Sequence, residues 1–239
     1  YGFGAPNDVE RQRPAMWRYW RVMPPRGRIV ILHAGWYEDF LSGSVLDPGR
    51  PATIVRREVE RIRSLERMLV ADGVAVVKVH LHVGPELQRR RLRKLRSDKR
   101  TRWRVTPDDL WEAAHYRRVE RVMEHCLEVT EQPAAPWHLV DGTDRQHRAL
   151  EVGKVLLAGI EGRIARPRNR ADAIGRIAAS RARKFAKLPT SHRGARVAEE
   201  DYESGLEELQ GRLALLSRRH RFAKYSVVVA LEGMDAGGK

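Results

Sequence analysis

The residues whose types and spacing are best suited to chemistry are the last seven of the sequence, Gly233 to Lys239. They read Gly-Met-Asp-Ala-Gly-Gly-Lys, which is the spacing G-x-x-x-x-G-K of a phosphate-binding loop. In such a loop the glycines let backbone N–H groups surround phosphate oxygens, and the lysine reaches the β- and γ-phosphates. We therefore predict that Gly233, Gly237, Gly238 and Lys239 bind phosphate, and that Lys239 acts in catalysis. A glycine-rich turn without a ligand is the alternative.

A predicted strand leads directly into this loop. Residues Tyr225 to Leu231 contain three consecutive valines, a run typical of a strand buried on both faces of a parallel sheet. Other strands are predicted at 28–33, 74–83 and 137–140, and helices at 10–21, 53–72, 85–96, 107–128, 145–161 and 197–220. Because strands alternate with helices and hairpin signals are missing, the pattern predicts an α/β fold with a parallel sheet flanked by helices.

The charge balance predicts a polyanionic partner. The 239 residues include 46 Lys+Arg and 31 Asp+Glu, which gives a net charge of +15. Nucleic acid, anionic lipid and polyphosphate are the partners that such a charge suits. The densest basic run lies between Arg89 and Arg104, and a solvated helix face is its alternative interpretation. Within that run, Trp103 is predicted to be a packing anchor and not a stacking platform.

Two absences in the sequence narrow the class of protein. No apolar run approaches the roughly 18 residues that a membrane-spanning helix needs. Cys126 is the only cysteine, so this chain can form neither an internal disulfide nor a cysteine metal site. We therefore expect a cytoplasmic protein without a membrane partner.

Several short motifs of the N-terminal part occur in an order that resembles a known family. They are Arg-Pro-x-x-Trp-Arg-x-Trp at 13–20, Pro-x-Arg-Gly at 24–27, Trp-Tyr-Glu-Asp at 36–39, Leu-His-Val at 81–83, Arg-Trp-Arg-Val-Thr-Pro-Asp-Asp-Leu at 102–110 and Ala-Pro-Trp-His at 135–138. Together they cover most of residues 1–160 and resemble the polyphosphate kinase 2 family.

The resemblance implies a P-loop kinase-like sheet with a basic helical lid. It also implies phosphoryl transfer between polyphosphate and AMP or ADP with Mg²⁺ as cofactor. Asp235 would be catalytic, holding Mg²⁺ or orienting the acceptor phosphate. An arginine suits phosphate binding, and the predicted polyphosphate-binding residues are Arg18, Arg96, Lys99, Arg100, Arg102 and Arg104. The partners implied are inorganic polyphosphate, a nucleoside mono- or diphosphate and a second copy of the protein, and nucleic acid is not expected.

Three alternatives to this function remain open at the sequence level. A nucleic-acid-binding protein would use the same net charge of +15, although the sequence shows no recognition motif of that class. Another P-loop nucleotide kinase would share the loop at 233–239 but not the tryptophan-containing motifs. A non-catalytic module that binds polyanions or mediates dimerisation would account for residues 1–162 taken alone.

The order of the motifs predicts two tandem copies, both incomplete. Residues 1–162 hold the part of a domain that follows its phosphate loop, 163–196 form a basic linker, and 197–239 begin a second domain that ends in the phosphate loop. One domain could supply both parts in this order only by circular permutation. This tandem arrangement resembles that of family members of the polyphosphate:AMP phosphotransferase type.

The first copy departs from the family pattern just before Trp36. Active members have an acidic or amide residue followed by Arg-Ser, where this sequence has His33, Ala34 and Gly35. Magnesium prefers oxygen ligands, and the loss of the arginine removes a bidentate phosphate contact. The first copy is therefore predicted to be inactive, and the chain by itself is not expected to turn over. A metal-binding role of His33 is the alternative to a packed or solvated histidine.

Overall fold

The structure of the protein is a computed structural model that describes residues 1–165 and 196–233. Four parallel strands form one sheet: β1 (Ile29–His33), β2 (Ala75–His82), β3 (Trp137–Asp141) and β4 (Val227–Gly233). The predicted α/β fold with a parallel sheet flanked by helices is confirmed. Within the described ranges, no helix is both long and apolar enough to cross a bilayer.

Nine helices surround the sheet in the described parts of the chain. They are α1 (Asp8–Arg11), α2 (Trp17–Trp20), α3 (Glu38–Leu46), α4 (Ala52–Ala71), α5 (Pro85–Ser97), α6 (Pro107–Ala114), α7 (Tyr116–Thr130), α8 (Arg145–Ala165) and α9 (Glu199–Ser217). Two 3₁₀ turns, Arg102–Arg104 and Phe222–Lys224, precede α6 and β4.

Two predicted helices need correction, and one helix was not predicted. The predicted helix 10–21 is two short helices, α1 and α2, because Pro14 lies between them and a proline interrupts helical hydrogen bonding. The predicted helix 107–128 is broken at His115, whose ring stacks on Trp111 with centroids 4.1 Å apart. Helix α3 was not predicted, because its nine residues have no marked apolar periodicity.

The strand that leads to the predicted phosphate loop lies inside the sheet. The strand order is β1-β4-β2-β3, so β4 pairs with β1 through Val228↔Val30 and with β2 through Val228↔Val76. A segment assigned by sequence to a second copy thus shares one sheet with residues 29–141. The division into two copies stays a prediction.

Each face of the sheet is covered by its own set of helices. On one face, Val228 and Ala230 of β4 belong to a core with residues of α3, α4 and α7. On the other face, Val227 and Val229 belong to a core with residues of α8 and α9. Successive side chains of a strand point to opposite faces, so the valine run of β4 contributes to both cores.

Close helix packing on the second face depends on small residues. A Cβ at Gly159 of α8 would lie 2.7 Å from Val77 Cγ2 of β2. A Cβ at Gly153 would lie 2.9 Å from Leu209 Cδ1 of α9. These distances are shorter than real Cβ contacts, so the glycines of α8 allow it to approach both the sheet and α9.

A buried ion pair joins the sheet to the first face. Lys78 Nζ of β2 lies 3.0 Å from Glu66 Oε2 of α4, and both side chains are fully inaccessible to solvent. Lys78 also donates to the carbonyl oxygen of Thr130 at the end of α7 at 2.7 Å. Its ammonium lies 5.0 Å from the ring centroid of Trp137. The pair therefore fixes α4, β2 and the end of α7 relative to one another.

The carboxylate of Glu66 has three further partners. Gln132 Nε2 donates to Oε2 at 2.6 Å, Trp36 Nε1 donates to Oε1 at 3.3 Å, and the Tyr37 hydroxyl donates to Oε1 as well. Burial and the adjacent carboxylate raise the pKa of Tyr37 well above its usual value, so Tyr37 is a stable donor. The network attaches the segment after β1 to the core.

Removing one member of this pair should destabilise the fold strongly. Lys78→Met leaves the Glu66 carboxylate buried without its cation, which typically costs about 3–5 kcal/mol. Lys154→Met is the matched control, because Lys154 pairs with Glu151 at 2.8 Å on the surface, where a pair contributes at most about 1 kcal/mol. Urea denaturation of both variants measures the two losses. Equal, small losses would contradict the structural role of the Lys78–Glu66 pair.

Candidate functional site

The carboxyl ends of all four strands lie at one edge of the sheet. β1 ends at His33, β4 at Gly233, β2 at His82 and β3 at Asp141. In open parallel sheets, ligands bind in the crevice outside this edge. Gly233, the first residue of the predicted phosphate loop, stands at that edge in the centre of the sheet. The predicted site residues Asp235, Gly237, Gly238 and Lys239 lie outside the described residues.

Gly233 occupies a position that excludes any side chain. It is buried opposite Leu81 of β2, and a Cβ at residue 233 would lie 2.6 Å from the Leu81 carbonyl oxygen. That oxygen belongs to the backbone of a central strand and cannot move away cheaply. The glycine of the motif is therefore required by strand packing as well as by the phosphate loop that it begins.

Glu232 ties the β4 end to the turn after β1. Its side chain is buried, and Oε1 accepts a hydrogen bond of 2.8 Å from the backbone N–H of Gly35. The preceding residue, Ala34, has a φ of +51°, a left-handed conformation that costs an L-residue about 1–2 kcal/mol. Glu232 was not among the predicted site residues, although an acidic residue that follows a predicted apolar strand is a usable signal. The segment that departs from the family pattern is thus held directly beside the end of β4.

Two half-buried arginines at the β3 end were also missed as site residues. Arg91 Nη2 donates to the carbonyl oxygens of Gly142 and Thr143 at 2.9 and 2.6 Å, and Arg148 Nη1 donates to Gly142 at 3.2 Å. Burial, followed by the positive charge of Arg148, lowers the pKa of Arg91. Arg148 comes from α8, so only the fold brings it next to the basic helix α5.

Of the predicted polyphosphate-binding residues, Arg18 lies apart from the rest. Its side chain is only 8% exposed and donates from Nη2 to the Gly4 carbonyl oxygen at 2.8 Å. Its Nε lies 3.7 Å from Glu10 Oε1, and its guanidinium lies over the ring of Phe3 at 5.0 Å. The structure therefore gives Arg18 partners within the N-terminal segment and not within the basic run.

The other predicted polyphosphate-binding residues lie together on one projecting unit. We call residues 85–114 the lid, because α5 begins three residues after β2 ends, at the same edge as Gly233. Tyr116 anchors its base by donating from its hydroxyl to the Val83 carbonyl oxygen at 2.9 Å. The exposed basic residues follow one another near the far end of α5 and in the turn after it: Arg96, Lys99, Arg100, Arg102 and Arg104.

Trp103 is not the packing anchor that the sequence predicted. It is 73% exposed, and the 3₁₀ turn around it leaves the ring outside both cores. Its Nε1 donates to the Arg100 carbonyl oxygen at 2.9 Å, and the guanidinium of Arg104 lies 5.3 Å from its ring centroid. The prediction was wrong because local hydrogen bonds, and not hydrophobic contacts, fix this side chain.

Comparison with known proteins now identifies the family. The model of the polyphosphate kinase 2 family matches residues 1–167, which include three of the four strands and the whole lid. The chain belongs to the polyphosphate kinase 2 family.

Two similar relatives are polyphosphate:AMP phosphotransferases. The protein from Pseudomonas aeruginosa is 32% identical over 240 residues, and that from Pseudomonas syringae pv. tomato is 31% identical over 239 residues. Each alignment covers 99% of this chain and 48% of the relative. The chain therefore spans about half the length of these two curated relatives.

Solved structures have the same fold. A polyphosphate kinase 2 from Arthrobacter aurescens superposes with a TM-score of 0.63 at 28% identity, covering 68% of this chain and 57% of that chain. A putative polyphosphate kinase 2 from Pseudomonas aeruginosa superposes with a TM-score of 0.58 at 28% identity, covering 92% of this chain and 41% of that chain.

Adding one methyl group at the strand end tests the packing around the predicted loop. In Gly233→Ala the Cβ meets the Leu81 carbonyl oxygen, and such overpacking typically costs about 1–3 kcal/mol. Gly211→Ala is the control: a Cβ there has no neighbour within 4 Å, and alanine in a helix interior is favoured by about 0.5–1 kcal/mol. Thermal or urea unfolding should therefore shift in opposite directions in the two variants. A Gly233→Ala protein as stable as the parent would rule out this strand packing.

Proposed function

We propose that the intact protein transfers phosphoryl groups between inorganic polyphosphate and AMP or ADP, with AMP as the first acceptor to test. The observation that carries this proposal is that a phosphate-loop motif begins at Gly233, on the edge of a polyphosphate kinase 2 sheet from which the basic lid also starts. The relatives from the two Pseudomonas species have names that specify AMP, which supports AMP as the acceptor.

In the proposed reaction, the bond between the terminal phosphorus of polyphosphate and its bridging oxygen breaks, and a new bond forms from that phosphorus to a phosphate oxygen of AMP. The products are ADP and a polyphosphate shorter by one phosphate, which leaves with the bridging oxygen. Such transfer depends on positioning and charge neutralisation more than on covalent chemistry. Lys239 and the loop amides of Gly237 and Gly238 would neutralise charge on the transferred group. Gly233, which has no side chain, would let the backbone approach the phosphates closely.

Magnesium is the proposed cofactor, and Asp235 is its proposed protein ligand. Mg²⁺ bound to substrate phosphates commonly uses one or two carboxylates and several waters, so a large protein cage is not required. Residues 1–165 and 196–233 contain no group of three or more His, Cys, Asp or Glu that could hold a metal ion. A site built from Asp235 and the substrate phosphates is compatible with that finding.

The organisation that we propose for the intact protein is two tandem copies. This chain aligns over 99% of its length with relatives of about twice its size, and the family model ends at residue 167, before the segment that leads to the new phosphate loop. We assign catalysis to the second copy, because His33, Ala34 and Gly35 replace the acidic or amide residue and the Arg-Ser of active members.

The basic lid is proposed to bind polyphosphate through charge neutralisation. Five basic residues and one acidic residue lie between Arg96 and Arg104. Asp98 accepts a hydrogen bond from Arg100 at 3.2 Å, and the hydrogen bonds from Arg100 lower the pKa of that carboxyl. Asp98 is the only acidic residue between Arg96 and Arg104 in the sequence, so the basic side chains of the lid turn outnumber it, which favours a polyanionic ligand. We also propose that the protein is cytoplasmic and that it self-associates.

A polyphosphate-dependent assay on the full-length protein tests this function. We expect ADP to form from AMP and polyphosphate when Mg²⁺ is present, and chelation of Mg²⁺ to abolish its formation. ³¹P NMR of the product identifies the transferred group. ADP formation that requires ATP and ignores polyphosphate would place the protein among other nucleotide kinases.

Two variants of the full-length protein locate the catalytic copy in the same assay. Lys239→Ala removes a fixed charge on the transferred group and should lower the rate about 10²- to 10³-fold. His33→Ala should change the rate less than about 3-fold, which corresponds to under 1 kcal/mol. Comparable losses in both variants would show that the first copy is catalytic.

A further inference from the structure

The lid carries one aromatic side chain whose exposure and orientation the phosphate chemistry does not use. Trp103 is 73% exposed, more than any other large apolar side chain in the described residues. We propose that the exposed surface formed by Arg100, Arg102, Trp103 and Arg104, which we call the Trp103 surface, binds a nucleoside diphosphate with its base stacked on the indole ring. The inference rests on the proposed function, because ADP is the product of the proposed reaction, and it assigns this surface to the first copy as a binding site separate from the catalysis that we assign to the second copy.

Exposure alone would not carry this inference, because isolated exposed apolar residues are common on protein surfaces. The indole of Trp103 differs from these because its orientation is fixed. Its Nε1 donates to the Arg100 carbonyl oxygen at 2.9 Å, and Arg104 lies against the ring at 5.3 Å. The polar edge of the indole is therefore satisfied by the protein, and the ring remains largely open to solvent.

The turn that presents Trp103 is held by its own hydrogen bonds. The Asp98 carbonyl oxygen accepts from the N–H groups of Thr101 and Arg102 at 3.0 and 2.9 Å. Thr101 Oγ1 donates to the Leu95 carbonyl oxygen at 2.8 Å, which joins the turn to α5. On the other side, Thr106 forms a capping box with Asp109 at the start of α6. A preorganised aromatic surface loses less conformational freedom on binding than a mobile one.

The charges beside the ring suit the phosphate groups of the same ligand. Arg100 is exposed over 88% of its side chain, and Arg102 and Arg104 are exposed as well. Guanidinium groups form paired hydrogen bonds with phosphate oxygens. An aromatic ring with arginines on either side in sequence is an arrangement that can bind a base and its phosphates together.

The indole distinguishes between the two anionic substrates of the proposed reaction. Arginine and lysine side chains attract polyphosphate and nucleotide alike, because both carry closely spaced phosphates. Only the nucleotide has a planar base, and stacking of a base on an aromatic side chain strengthens binding about 5- to 160-fold. The Trp103 surface should therefore contribute specifically to nucleotide affinity.

Binding of ADP and of pyrophosphate to this 239-residue chain tests the proposal, because pyrophosphate has the same two phosphates without the base. Calorimetric titration should give at least about 5-fold weaker ADP binding for Trp103→Ala and Trp103→Leu than for the parent chain. Trp103→Phe, which keeps a ring, should remain within about 3-fold of the parent chain. Pyrophosphate affinity should stay within about 2-fold in all three variants. Trp20→Ala is the control, because Trp20 is 42% exposed but lies on α2, outside the lid.

Three results would overturn the proposal. They are ADP binding that is undetectable in the parent chain, ADP affinity unchanged in Trp103→Ala, and an equal loss of ADP and pyrophosphate affinity in that variant. Tighter binding of a single-stranded oligonucleotide than of ADP would also overturn it, in favour of a nucleic-acid surface. The titration needs no turnover, so its result is independent of the polyphosphate assay. A failed assay with the predicted binding pattern would reject the proposed reaction and leave this surface in place.

Discussion

The contact on which the rest of the structure depends is the buried pair of Lys78 and Glu66. A charge inside a protein is tolerated only with a partner and further hydrogen bonds. Here Thr130, Gln132, Trp36 and Tyr37 provide these bonds from two separate parts of the chain. Trp36 and Tyr37 lie three and four residues after the end of β1. The network that holds α4 on β2 therefore also fixes the turn that follows β1. Core stability and site geometry therefore share one set of interactions.

The position of β4 is the second constraint. Because β4 lies between β1 and β2, the end of that strand is surrounded on both sides, by Gly35 through Glu232 and by Leu81 through the closely packed Gly233. The predicted loop therefore starts from a rigid point at the carboxyl edge, and the lid begins at the same edge after β2. The motif at 233–239 and the lid therefore both begin at this edge of the sheet, although about 130 residues separate the motif from the basic side chains of the lid in sequence.

The sequence predicted the elements that have strong local signals. Apolar runs located all four strands to within a few residues, and the two interior strands, β2 and β4, are buried on both faces. Glycine and lysine spacing predicts a phosphate loop at 233–239, and that loop stays a prediction. The sequence did not predict features that depend on distant parts of the chain: the Lys78–Glu66 pair, the hydrogen bond from Gly35 to Glu232, or the convergence of Arg91 and Arg148 on Gly142. The exposure of Trp103 was predicted wrongly, because an aromatic residue between two arginines gives the same sequence pattern whether its ring is packed or exposed. Arg18 was predicted to bind polyphosphate because an arginine suits phosphate, whereas in the structure its partners lie in the N-terminal segment.

The central claim is that β4 is an interior strand, paired with both β1 and β2. Backbone nuclear Overhauser effects measured on the deuterated, ¹⁵N,¹³C-labelled chain test it most directly, because neighbouring strands lie only about 4.8 Å apart. We expect contacts from the backbone of Val228 to both Val30 and Val76, in the observed register. Direct contacts between Val30 and Val76, with none from Val228 to either, would contradict the strand order.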